Sequence, residues 1–154
     1  MMKGLMIWTF TKWRHNTASK HIRGSILDLG CGDEEMKRYA TTNYLGIDKK
    51  TGFNIEIDKI KDKWDAILLL AVLEHLDNPN KLLQKLRNNL KDNGKIIITM
   101  PSRLGIIIHS FLARIGLFTR EFAEEHKIHK LDFNGYKVIK RRFALFNQLF
   151  ILTK

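Results

Sequence analysis

The sequence predicts an α/β fold, a mostly parallel sheet with helices on both faces and an antiparallel hairpin at its C-terminal end. Three observations carry that reading. Short apolar runs alternate with segments of helical period along the chain. Two of those runs, "WDAILLL" and "KIIITM", are apolar at successive positions, as strands buried on both faces require. The last two runs are joined by a turn too short for a parallel crossover.

Taken in order, the first element is the strand "SILDL" (25–29), followed by a helical segment from Glu34 to about Tyr39. "YLGID" (44–48) is the second strand, and "WDAILLLAVL" (64–73) begins as the third. The best-marked helix follows. Asp77 or Asn78 caps it, Pro79 suits its first turn, and Leu82, Leu83, Leu86 and Leu90 form one stripe before Gly94 stops it. "KIIITM" (95–100) is a strand ended by Pro101, a helix covers 104–117, and "YKVIKRRFAL" and "NQLFILTK" form the hairpin. One connection is too short. Only Lys49 to Gly52 separate the second strand from "FNIEI" (53–57), so no helix fits there and the usual crossover after the second strand is missing. "FNIEI" is then an antiparallel hairpin arm or an extended loop along the sheet edge.

At 154 residues, without repeats or a linker, the chain reads as a single domain, 1–154, with 1–24 as an N-terminal cap segment. Its single cysteine forms no internal disulfide and suits a reducing, cytoplasmic compartment. The N-terminus lacks the h-region and cleavage site of a signal peptide, and the apolar stretch 104–118, broken by His109 and Arg114, is too short to span a bilayer. The net charge of +11 is uneven: +5 in residues 1–27, balanced in 28–102, and +6 in 103–154. Basic flanks fit a solvated surface, and also leave open an anionic small molecule, nucleic acid or lipid headgroups as partners.

The chemistry concentrates in "SILDLGCGDEEMKRYA". Gly30 and Gly32 let a ligand approach the backbone, and the helix start behind them offers free N–H groups. Asp28, ending the first strand, directs a carboxylate into the crevice where ligands of open α/β sheets bind. The dinucleotide pattern Gly-x-Gly-x-x-Gly is not met, since its last position is Glu35, and Asp28 would repel a pyrophosphate. The turn therefore favours a cationic ligand without phosphates. Asp48, ending the next strand, is placed to accept hydrogen bonds from ribose hydroxyls. A cationic, ribose-bearing ligand points to S-adenosylmethionine.

"LDLGCGD", "YLGID", "WDAILLLAVLEHL" and "LKDNGKIIITMPS" together resemble the class I S-adenosylmethionine-dependent methyltransferases. They look most like the small-molecule type, methyltransferase type 11-like, with a Leu-Glu-His after the family's fourth strand. The resemblance implies a Rossmann-like fold, S-adenosylmethionine as cofactor, and methyl transfer to a small-molecule acceptor. It assigns Asp28, Gly30, Cys31 and Gly32 to the methionine end of the cofactor and Asp48 to the ribose. Ala71 to Glu74, with Ala71, Leu73 and Glu74 as the named contacts, would close over the cofactor. Asp58, ahead of Glu56 and Asn54, would reach the adenine amine. Two departures stand out: Glu34 where the family has a third glycine, and the missing helix.

Where the acceptor must lose a proton, His75 is the candidate base, with His126 behind it. Cys31 otherwise reads as a small buried side chain without an activating neighbour. His126 and His129 lack a second cluster of ligands, so no metal site is expected. Two alternatives remain: a weakly active or inactive binding protein of the same fold, and a nucleic-acid methyltransferase, against which stands the absence of an Asn/Asp-Pro-Pro-aromatic motif. The short insertions leave room for a homodimer partner to complete the site.

Overall fold

The computed structural model describes residues 2–115, 130–143 and 147–154. The chain opens with helix α1 (Met2–Ser19) and continues with strands β1 (Ile26–Leu29), β2 (Tyr44–Ile47) and β3 (Trp64–Leu70). Helix α2 (Pro79–Leu86), strand β4 (Leu90–Pro101), helix α3 (Arg103–Arg114) and strands β5 (Lys137–Phe143) and β6 (Asn147–Thr153) complete it. The sheet order is β2-β1-β3-β4-β6-β5. The first four strands are parallel, and β6 is antiparallel to both β4 and β5. The Rossmann-like expectation, C-terminal hairpin included, is met.

Side-chain alternation sorts the core into two layers. Leu27 and Leu29, Ile67 and Leu69, Ile96 and Ile98, and Phe150 and Leu152 face α2, where Leu82, Leu83 and Leu86 meet them. Ile26, Ala66, Leu68, Ile97, Leu149 and Ile151 face the other way, onto Ala18 of α1 with Trp13 packed alongside. Strands covered on both sides need no polar face, hence the unbroken apolar runs of β3 and β4.

The structure corrects several boundaries. The helical segment after β1 is a 3-10 helix that starts one residue later, Glu35–Tyr39, and the N-terminal cap segment is mostly one helix. Leu90 and Gly94 belong to β4 instead of ending α2. Leu90 is buried on either reading, so the stripe of leucines could not mark where helix gives way to strand. Of the two readings of "FNIEI", the hairpin arm does not form and the loop does. It is an irregular loop that turns Phe53 and Ile55 against the core and leaves Ile57 77% exposed. No helix intervenes between β2 and β3 beyond one 3-10 turn (Lys49–Thr51).

Candidate functional site

The order β2-β1-β3 places β1 at a topological switch: the chain moves to one side for β2 and returns to the other for β3. A crevice opens there beyond the carboxyl ends of the strands. Two cavities occupy it. The larger, about 980 Å³, is lined by Ile47, Asp48, Phe53, Asn54, Glu56, Ala71, Val72, His75 and Leu76. The smaller, about 220 Å³, is lined by Thr11, Arg14, His15, Asp28, Cys31, Gly32 and Leu70. Gly30 lines both.

Gly30 has φ +78°, and a Cβ built there would lie 2.5 Å from Cγ2 of Val72. Both the backbone conformation and the space require glycine. Its N–H donates to Ile47 O at 2.7 Å, tying the loop after β1 to the end of β2. Asp48 tightens the same joint. Its carboxylate accepts from Gly32 N at 3.1 Å and from Lys50 N at 3.0 Å. The Lys50 N–H, with help from Gly32, holds the Asp48 carboxyl below its ordinary range.

Asp28 is only 2% exposed, and Tyr44 Oη donates to it at 2.9 Å. Burial pushes its carboxyl up to about 6, with the Glu34 charge adding to the rise and the Tyr44 hydrogen bond opposing it. Across the smaller cavity stands Arg14 of α1. Its guanidinium donates to Thr11 Oγ1 at 3.1 Å, and burial lowers its basicity despite the Glu74 charge behind it. The small cavity thus offers one largely buried cation and one buried acid. His15 Nδ1 and the Glu35 carboxylate lie 2.7 Å apart and fasten α1 over this end of the site.

Of the residues the sequence singled out, Asp28, Gly30, Cys31, Gly32, Asp48, Ala71 and His75 line one or both cavities. Cys31 is partly exposed rather than buried, and burial with the charges of Asp28, Asp48 and Glu34 raises its thiol pKa. Three residues are not brought to the cavities' described linings. Asp58 turns back on its own loop, accepting from Asn54 N at 2.7 Å, while Asn54 and Glu56 take the wall. Leu73 is fully buried in the core. Glu74 is also fully buried, its two oxygens without a hydrogen-bond partner among the described residues, and burial pushes its carboxyl up to about 7. Glu34 adopts a left-handed conformation (φ 54°), as the family's glycine could, and pairs with Lys37 Nζ at 3.1 Å. Its side chain is outside both described linings. His126 lies outside the described residues, as does His129.

Sequence reasoning missed Arg14, Tyr44 and Phe53, whereas Asn54 and Glu56, its candidates after Asp58, line the large cavity. Arg14 was one cation among five in the N-terminal segment, and only the docking of α1 distinguishes it. Tyr44 follows from pleat geometry, since β1 and β2 pair with Asp28 opposite Gly46, two residues along. Among the described residues, no three His, Cys, Asp or Glu side chains gather as metal ligands, and no helix is long and apolar enough to cross a membrane.

Comparison with known proteins agrees with the fold. Residues 10–149 match the sequence profile of a methyltransferase domain. No curated protein sequence matches the chain. Among solved structures, an S-adenosylmethionine-dependent methyltransferase from Clostridium acetobutylicum superposes with TM-score 0.61 at 12% identity, covering 94% of this chain and 91% of that one. A SAM-dependent methyltransferase from Archaeoglobus fulgidus also gives TM-score 0.61, at 14% identity, covering 96% and 93%. At such identities the likeness speaks for the fold.

Proposed function

This chain belongs to the methyltransferase domain family, and on that premise we propose that the two cavities flanking Gly30 form one elongated site for S-adenosylmethionine, serving methyl transfer to a small-molecule acceptor. The single observation that carries the reading is Gly30 itself. A backbone position without a Cβ, shared by a small charged cavity and a larger, mostly apolar one, suits a ligand with a zwitterionic end and a nucleoside end.

The residues present fit that donor. In the small cavity, Arg14 faces a carboxylate and Asp28 an ammonium group, a pairing that suits an amino-acid moiety. In the large cavity, Asp48 keeps acceptor capacity for ribose hydroxyls beyond its two backbone partners, because a carboxylate has about four lone-pair sites. Phe53, Val72 and Leu76 supply apolar surface for a base, and Asn54 and Glu56 supply polar groups at its edge. Glu34 pairs with Lys37 outside the small cavity's described lining, which keeps its bulk out while its charge still reaches Asp28. S-adenosylmethionine supplies a methyl group already activated on a sulfonium, for in-line displacement by a nucleophile.

The chain's own contribution is therefore position and exclusion of water. Arg14 and Asp28 fix one end of the donor, Asp48 fixes the other, and α1 closes the small cavity through His15 and Glu35. His75, exposed at the wall of the large cavity, is the candidate base for an acceptor that must lose a proton. In this reading residues 1–154 act as one domain, with α1 as its cap.

The test is calorimetric titration with S-adenosylhomocysteine, the product that the donor leaves behind. The wild-type chain should bind one equivalent, and Arg14→Ala and Asp48→Ala should each weaken binding at least tenfold with the fold intact by circular dichroism. Unchanged affinity in both variants would overturn the assignment. For His75, a rate unaltered in His75→Ala at saturating acceptor would remove its role.

A further inference from the structure

A further cavity lies at the carboxyl end of β4, next along the sheet from the end of β3. It measures about 580 Å³, within the range of small-molecule sites, and lies between the start of α3, residues 130–133 and β5. Met100, Phe133 and Phe150 give it an apolar floor continuous with the core. Three cations from separate parts of the chain line it: Arg103 of α3, Lys130, and Arg141 of β5. No carboxylate lines it among the described residues, and none of these three cations is ion-paired with a described carboxylate.

One of the three, Arg141, stands over apolar surface. The Arg141 guanidinium lies 4.7 Å from the ring centre of Phe143 and 5.2 Å from that of Phe150. Leading out from the cavity, Leu104, Ile107, Phe111 and Ile115 of the α3 region follow a helical spacing, and each is more than half exposed. Leu104 belongs to both the mouth and this stripe. Cations beside an apolar floor complement a ligand with the same division: an anionic head and a hydrocarbon body.

We propose that this cavity binds an anionic amphiphile, its phosphate or carboxylate held by Arg103, Lys130 and Arg141 and its hydrocarbon laid on Met100, Phe133 and Phe150. None of the described residues lining it lines the cavities around Gly30, so the two ligands bind side by side. Because β3 and β4 are parallel neighbours, both sites open at the same edge of the sheet. The site stands on its own chemistry, whether or not the donor assignment holds.

The experiment titrates the full chain with dodecyl phosphate below its micellar concentration. Saturable one-to-one binding is expected, undiminished by saturating S-adenosylhomocysteine. Inorganic phosphate alone and uncharged dodecanol alone should each bind at least tenfold more weakly. Arg141→Gln and Arg103→Gln, both at exposed positions, should each weaken dodecyl phosphate at least tenfold with unchanged circular dichroism. Sedimentation with phosphatidylglycerol vesicles distinguishes the source. Co-sedimentation lost in Arg141→Gln supports the site with a bilayer lipid as ligand, and monomer binding without co-sedimentation supports it with a free amphiphile. Absence of saturable binding, displacement by S-adenosylhomocysteine, or full affinity in the doubly substituted chain would overturn the proposal.

Discussion

Substituting Asp28→Asn should make the ligand-free protein more stable at neutral pH while costing it the donor. Asp28 is 2% exposed and its carboxyl titrates at about 6 in the fold, against 3.8 ordinarily. A raised acid pKa means that the folded state holds the proton more tightly than the unfolded state does. Its contribution is therefore most favourable below about pH 4, and stability is lost as pH rises from there through about 6. At 1.36 kcal/mol per pH unit the gap is worth ~3 kcal/mol. Asparagine keeps an oxygen for the Tyr44 hydroxyl, which donates to Asp28 at 2.9 Å, but has no proton to lose. The assay is urea unfolding of both proteins from about pH 4 to about pH 8, reading the difference between their curves so that other titrating groups cancel. The stability of Asp28→Asn relative to wild type should climb by ~2–3 kcal/mol across that range. S-adenosylhomocysteine should bind Asp28→Asn at least tenfold more weakly at neutral pH. Its affinity for wild type should rise with pH until Asp28 is ionised. A flat difference curve together with unchanged affinity would refute the reasoning, because the buried charge would then be neither costly nor used.

Other substitutions test neighbouring parts of the account. Glu74→Gln should remove a pH-dependent cost of similar sign, its stability relative to wild type rising between about pH 4.5 and pH 7 by up to ~3 kcal/mol, read by the same unfolding series. Glu34→Gly relieves a left-handed residue at the loss of the Lys37 pair, so stability should change by no more than ~1 kcal/mol and S-adenosylhomocysteine affinity should stay within twofold. Glu56→Ala should cost ~1 kcal/mol in unfolding and weaken donor binding as well. Its carboxylate accepts from Asn78 N at the start of α2 while its side chain walls the large cavity.

The parts of the fold that depend on local pattern were legible in the sequence. β3 and the body of β4 are buried on both faces, so their apolar runs could hardly be anything else. Where the same pattern serves two structures, the reading failed. Leu90 continues the α2 stripe and is equally buried in β4. For Phe53 and Ile55 the alternation left hairpin arm and loop both open, and only the packing chooses the loop. Gly94, which looked like a helix stop, lies in a strand irregularity where a Cβ would sit 2.9 Å from the carbonyls of Lys91 and Trp64.

For the site, the same division holds. Asp28, Gly30 and Asp48 sit at strand ends, and strand ends can be read from sequence. Arg14 reaches the site only because α1 docks across the sheet, a tertiary fact with no local signature. Leu73 and Glu74 lie one and two residues beyond Val72, and the 3-10 turn there rotates them into the interior instead of the cavity. The spacing of Asp58 from Asp48 gave no sign that its carboxylate would close its own loop.

The most direct test of the central claim is a crystal structure of the chain with S-adenosylhomocysteine. Density should run through both cavities past Gly30, with the amino-acid end between Arg14 and Asp28 and the ribose on Asp48. Ligand density confined to one cavity, or lying elsewhere with Gly30 untouched, would contradict it.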